Sequence, residues 1–181
     1  MSQFRKHLKF TWKNHLRYFI QKRRLGLLGK GAFLDKGIEL LRFPENIFID
    51  DEVAIKEGAK ICSCNENAQI KIGKRTTVGY HTFIFASERI EIGDDCLIAP
   101  FVYLVDSNHT IKKGININQQ PNETAPISIG KDVWIASNVT ILKGVTIQNG
   151  AVIAANSVVN KDIGANEIWG GTPARKIGMR E

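Results

Sequence analysis

The sequence predicts an all-β solenoid, a chain wound into short stacked strands, and three observations lead there. From Ile129 onward an aliphatic residue recurs at every sixth position, at Ile129, Ile135, Ile141, Ile147, Ile153 and Val159. Four residues after each stands another small or aliphatic group: Val133, Val139, Val145, Ala151, Ser157 and Ile163. Turn-compatible residues fill the gaps, as in Gly130-Lys131-Asp132, Lys143-Gly144 and Gln148-Asn149-Gly150. A period of six matches neither the 3.6 of a helix nor the strict alternation of a hairpin meander or sandwich.

The same phase appears upstream at Ile49, Ile55 and Ile61, and again at Ile72, Val78 and Ile84. After a slip of two residues it returns at Ile92, Ile98 and Leu104. Three short strands would make one triangular coil, with each sixth residue inside the prism and coils stacked at the ~4.8 Å strand spacing. The period places this domain at residues 43–177, after a segment at 1–42 and before a tail at 178–181. The three cysteines, Cys62, Cys64 and Cys96, lack C-x-x-C spacing and read as small reduced wall residues.

Regularity fails between Leu104 and Ile129. The stretch 105–126 holds Asp106, Asn108, His109 and two prolines, and a long excursion from a rigid scaffold is where function tends to sit. No Ser or Cys nucleophile accompanies His109 in a recognisable elbow. An imidazole with a pKa near 6.5 is suited to general-base work near neutral pH.

The block 127–164, I-S-I-G-K-D-V-W-I-A-S-N-V-T-I-L-K-G-V-T-I-Q-N-G-A-V-I-A-A-N-S-V-V-N-K-D-I-G, is followed by G-G-T-P-A-R-K-I at 170–177. Together they resemble the left-handed parallel β-helix acyltransferases with hexapeptide repeats. The nearest branches are the galactoside, maltose and xenobiotic acetyltransferases and the O-acetyltransferases of surface polysaccharides. The resemblance implies a left-handed coil, acetyl-CoA as co-substrate, no metal, and a homotrimer with active sites between subunits. It makes His109 the catalytic base that deprotonates the acceptor, by direct attack without an acyl-enzyme.

The resemblance also places Trp134 beside the acceptor or the pantetheine, and Asp106 and His81 among acceptor-binding residues. His81 stands where galactoside-type relatives carry an acceptor-binding Asn, and Gly164 stands where the family often has Pro. Coenzyme A in the family lies along the outside of the C-terminal coils, which matches Ala136, Ser137, Ala154, Ala155 and Asn160. Lys161, Arg175 and Lys176 become candidate phosphate-binding cations. The implied activity is O-acetylation of a sugar hydroxyl in surface polysaccharide or lipopolysaccharide synthesis, the alternative being N-acetylation of a nucleotide-linked amino sugar. The carbonic anhydrases of this fold need three histidines, and the solenoid region supplies His81 and His109 alone. A non-enzymatic scaffold is the reading in which the loop histidine is incidental.

Charge is concentrated at one end: residues 1–30 hold nine Lys or Arg and no acid, which leaves 25 − 9 = 16 bases against 18 acids elsewhere. Phe4, Leu8, Trp12, Leu16, Phe19 and Ile20 follow helical spacing, with Lys6, Lys9, Lys13, Arg17 and Arg24 largely opposite. Such a basic amphipathic helix either rests on an anionic membrane through residues 1–30 or caps the open end of the solenoid. Nucleic acid is not expected as a partner, because no stacking platform accompanies the charge. With no continuous apolar span or signal-peptide pattern, the expected location is the cytoplasm, with the inner membrane face as the alternative.

Overall fold

The computed structural model describes residues 7–181. Each six-residue unit forms one short strand and one corner, and three units close a coil. The first coil is β1 (Leu27–Leu28), β2 (Phe33–Leu34) and β3 (Glu39–Arg42). The second is β4 (Ile47–Ile49), β5 (Ala54–Ile55) and β6 (Lys60–Ser63). The third is β7 (Gln69–Ile72), β8 (Thr77–Val78) and β9 (Phe83–Ala86), and the fourth is β10 (Arg89–Ile92), β11 (Leu97–Ile98) and β12 (Tyr103–Val105). A long loop then carries the hairpin β13 (Ser107–His109) and β14 (Asn122–Thr124). The fifth coil is β15 (Ile127–Ile129), β16 (Trp134–Ile135) and β17 (Thr140–Ile141), and the sixth is β18 (Thr146–Ile147), β19 (Val152–Ile153) and β20 (Val158–Val159).

Three parallel sheets result, with strand orders β1-β4-β7-β10-β15-β18, β2-β5-β8-β11-β16-β19 and β3-β6-β9-β12-β17-β20. Residues of equal phase lie in register, so Ile55, Val78, Ile98, Ile135 and Ile153 form one inward column. Ile61, Ile84, Leu104, Ile141 and Val159 form another. All of them are buried, each contributing ~1.5–3 kcal/mol of hydrophobic stabilisation. The residues four positions later, from Val133 to Ile163, are buried too and fill the corners.

The corners bend by placing a residue in the left-handed region. Glu52, Arg75, Asp95 and Asp132 do so between the first and second sheets, and Gly58, His81, Phe101, Asn138 and Asn156 between the second and third. Stacked corner side chains then pair along the axis: Arg75 Nε and Nη2 each donate to Asp95 at 2.6 Å. The third edge of the prism collects the irregularities in phase: 43–46, 64–68, 87–88 and the loop 106–126 all depart there.

The solenoid begins at Leu27, inside the stretch that the sequence reading set apart at 1–42. Leu28, Leu34 and Leu40 keep the spacing of six and pair with Ile49, Ile55 and Ile61. The insertion at 43–46 breaks the phase between Leu40 and Ile49 and hid this coil from the period.

Helix α1 (Trp12–Lys22) lies over the open end of that first coil. Coil-to-coil hydrogen bonds run parallel to the axis, so the first coil presents carbonyls with no preceding coil to satisfy them. The helix supplies the donors: Asn14 Nδ2 at 3.1 Å and Arg17 Nη1 at 2.7 Å both reach the Leu34 carbonyl. Tyr18 Oη donates to Leu28 O at 3.5 Å, and Arg24 Nη2 to Leu40 O at 3.4 Å. The expected helix is thus corrected in extent, to Trp12–Lys22. Leu8 precedes it, Phe4 and Lys6 lie outside the described residues, and its polar side faces the protein. Trp12, Leu16, Phe19 and Ile20 face solvent.

At the other end β21 (Glu167–Gly171) pairs with β19, and β22 (Ala174–Met179) folds back antiparallel onto it. Glu167 ties this hairpin, accepting from Gly164 N and Trp169 Nε1 at 2.8 Å and from Lys176 Nζ at 2.7 Å. The Lys176 ammonium, with the indole and amide donors, holds its carboxyl down at about 2. The tail expected at 178–181 is anchored as well, since Arg180 Nη1 donates to Asp132 Oδ2 at 2.7 Å.

Candidate active site

The loop leaves the third sheet at the end of β12, and its root is fastened by a buried carboxylate. Asp106 is fully buried; Oδ1 accepts from Ser87 N at 2.6 Å, and Oδ2 from Glu88 N and Arg89 N at 2.8 Å. Its own carbonyl accepts from Ala125 N at 3.0 Å, closing the loop's two ends. Within β13 and β14, Ser107, Asn108 and His109 pair with Thr124, Glu123 and Asn122. Further out Gln120 stitches the tip, accepting from Lys112 N and donating to the carbonyls of Lys112 and Ile115.

This scaffold sets His109 at the rim of a concavity of about 560 Å³ on the outer face of the third sheet. Arg42, Cys64, Phe85, Tyr103 and Asn122 line it with the imidazole. Phe83 and Tyr103 stack along the sheet at 5.6 Å, giving the neighbouring surface an aromatic floor. His109 is exposed, and among the described residues no group hydrogen-bonds its ring. Burial, with the adjacent Cys62, pushes the Cys64 thiol up to about 12. A thiol so far from ionisation is a poor nucleophile.

Other expected site residues are distributed over different faces. Trp134 stands half-exposed on the second sheet, lining a separate hollow of about 290 Å³ with Lys56, Tyr80, Leu97 and Pro100. Ala136, Ser137, Ala154 and Ala155 follow β16 and β19 at the corner between the second and third sheets, a strip of small side chains near Trp134. Asn160 and Lys161 are exposed past β20, at the far end of the third sheet. Arg175 is exposed on β22, while the Lys176 ammonium is engaged by Glu167.

Two expectations change. Asp106 has both oxygens committed to backbone amides in the interior, so in this chain it anchors the loop and does not face an acceptor. His81 occupies the corner between the second and third sheets, at φ 54°, stacked on Phe101 at 5.3 Å and lying against Gly58. That corner is opposite the edge from which the loop departs, so one chain does not bring His81 and His109 into one hollow. Among the described residues no three metal-ligating side chains converge.

Arg42, Cys64, Tyr103 and Asn122 line the His109 hollow and were not singled out from sequence. A signal existed for Tyr103, which precedes the inward Leu104 and must point outward on the same strand. Arg42 and Cys64 become legible only once the first two coils are in register.

The comparisons with known proteins agree with this architecture. Residues 126–161 match the family described as bacterial transferase hexapeptide (six repeats). The chain is 35% identical over 133 residues to the galactoside O-acetyltransferase of Escherichia coli K12, covering 74% of this chain and 61% of that protein. It is 38% identical over 108 residues to the putative lipopolysaccharide biosynthesis O-acetyl transferase WbbJ of the same organism, covering 55% of each. The chain thus spans between half and two thirds of the length of these curated relatives. Among solved structures, a maltose O-acetyltransferase from Clostridium difficile 630 superposes with a TM-score of 0.71 at 27% identity, covering 96% of this chain and 79% of that one. A hexapeptide-repeat acetyltransferase from Vibrio cholerae, complexed with acetyl coenzyme A, gives 0.68 at 29% identity, with 92% and 78% covered. A putative acetyltransferase of Schizosaccharomyces pombe is 30% identical over 155 residues, covering 83% of this chain and 70% of that protein. With its coils, its hexapeptide block and these relatives, the chain belongs to the hexapeptide-repeat acetyltransferases of the left-handed parallel β-helix fold.

Proposed function

We propose that this chain transfers the acetyl group of acetyl-coenzyme A to a sugar hydroxyl in the synthesis of a surface polysaccharide or lipopolysaccharide, with His109 as general base. The observation that carries the reading is the fastened hairpin, which sets an imidazole at the rim of a hollow on a solenoid whose relatives are acetyltransferases. The step is a direct attack. His109 removes the hydroxyl proton as the oxygen bonds to the thioester carbonyl carbon, the tetrahedral oxyanion collapses, the C–S bond breaks, and the imidazolium proton leaves with the thiolate.

In this reading the strip of Trp134, Ala136, Ser137, Ala154 and Ala155 borders the pantetheine, since small side chains allow close approach to the backbone. Asn160, Lys161 and Arg175 are the remaining candidates for contacts to coenzyme A, the two cations for its phosphates. His109 and Trp134 stand on different sheets of one chain, so the site joins the loop of one subunit to the second sheet of another in a homotrimer. The exposed Ile111, Ile115 and Ile117 at the loop tip provide apolar surface for that contact. His81, on the corner beside the same strip, faces the acceptor only in such an assembly. We place the protein in the cytoplasm, where acetyl-coenzyme A is made.

Thiol release from acetyl-coenzyme A with a panel of neutral sugars, lipid-linked glycans and nucleotide-linked amino sugars tests this directly. Wild type is expected to turn over on a hydroxyl acceptor, with His109→Ala lowering kcat by ~10²–10⁴. Acceptor-dependent turnover by His109→Ala at the wild-type rate would refute the base assignment. A product acetylated on nitrogen alone would redirect the substrate to an amine.

A further inference from the structure

Helix α1 is built with its amphipathicity turned outward. Its polar side is consumed by the solenoid, where Asn14, Arg17 and Tyr18 donate to the first coil's carbonyls. The residues at helical spacing on the other side are aromatic and aliphatic: Trp12 is 70% exposed, Leu16 52%, Phe19 63% and Ile20 48%. Lys13 and Lys22 border this stripe on either side, and Arg23 extends it. Their stems follow neighbouring rings, with Lys13 Nζ 5.8 Å from the Trp12 ring and Lys22 Nζ 5.7 Å from that of Tyr18. This geometry leaves the ammonium groups beside the stripe and outside it. No acid occurs before Asp35, and among the described residues Lys13, Lys22 and Arg23 form no ion pair.

We infer that α1 docks the protein end-on against an anionic lipid surface, burying Trp12, Leu16, Phe19 and Ile20 at the level of the headgroups while Lys13, Lys22 and Arg23 meet lipid phosphates. A helix of 11 residues is about 16 Å long, too short to span a bilayer and suited to lying in its plane. Its bonds to the first coil's carbonyls place it over that end of the prism, so its outward side forms the end. A second copy of this chain fits the stripe poorly. Two like faces would press cations against cations, and four side chains fall short of the roughly 800 Å² per partner of a stable interface. The inference is independent of the acyl-transfer reading.

The test is co-sedimentation of the full chain with vesicles of phosphatidylcholine alone and of phosphatidylcholine mixed with phosphatidylglycerol. Retention is expected on the anionic vesicles only and should weaken with added salt. Trp12→Ser with Phe19→Ser should abolish it, and Lys13→Glu with Lys22→Glu should reduce it roughly tenfold or more. These side chains are exposed and uninvolved in the carbonyl cap, so each variant should keep the wild-type melting temperature. Absence of binding, equal binding to both vesicle types, or binding unaffected by the apolar substitutions would overturn the inference. So would a fall in solution mass in the Trp12→Ser, Phe19→Ser variant without lipid binding, which would assign the stripe to a second copy.

Discussion

Asp106 holds three backbone amides of the preceding turn with one carboxylate, three residues before His109. Asp106→Ala leaves those part-buried amides without their acceptor and should destabilise the protein by on the order of 3 kcal/mol, read as a shifted urea midpoint. Its kcat should fall as well, because the hairpin carrying the imidazole loses its fastening. Asp106→Asn, which keeps an acceptor oxygen, should lie between the two. Gly58 makes a second residue-scale test. It sits at φ 72°, and a β-carbon there would enter the His81 ring. Gly58→Ala should therefore cost about 1–2 kcal/mol, and the steric part of that loss should vanish in a His81→Ala background. A double-mutant cycle that showed no coupling would contradict this packing.

Among the elements, the terminal caps carry energetics that a periodic coil lacks. Arg17→Ala removes the shorter of two donors from the Leu34 carbonyl, with an expected loss of about 1–2 kcal/mol in thermal or urea unfolding. The C-terminal hairpin adds a pH dependence. The Glu167 carboxyl is held at about 2, below its ordinary 4.5. Because the folded value lies below the unfolded one, its stabilisation is complete above the ordinary carboxylate range and fades as the pH falls from 4.5 toward 2. Trp169 donates to this carboxylate, so its fluorescence should report loosening of β21 and β22 in that window. Glu167→Gln should flatten the transition and weaken the hairpin at neutral pH; an unaltered acid profile would rule out this tie.

At the scale of the whole molecule, one chain carries two hollows on different faces, one bordered by His109 and one by Trp134, and the proposed function makes each of them half of a site. If three chains of 20.2 kDa complete each other's sites, two inactive variants can complement. Refolding His109→Ala together with Trp134→Ala should restore part of the activity, because some contacts then join an intact loop to an intact second sheet. Each variant refolded alone should stay low. No recovery on mixing, or a monomeric mass by light scattering, would contradict a shared site.

The inward columns were legible from sequence because a period of six leaves each aliphatic residue one geometric solution, the interior of a three-sided coil; all fifteen of the sixth-position residues from Ile49 to Val159 are buried. The loop and His109 were legible as the place where that period fails. The first coil escaped because an insertion at 43–46 shifts the phase, and periodicity detects spacing only while it holds. The role of Asp106, the lining by Arg42 and Cys64, and the separation of His81 from His109 escaped for a different reason. They depend on which residues of successive coils stack and on which edge each insertion leaves, and these are relations between positions 17 or more residues apart. The N-terminal helix shows the division most plainly: its sequence determined an amphipathic segment, but only the unsatisfied carbonyls at the solenoid's end decided that the polar side would turn inward and the apolar side out.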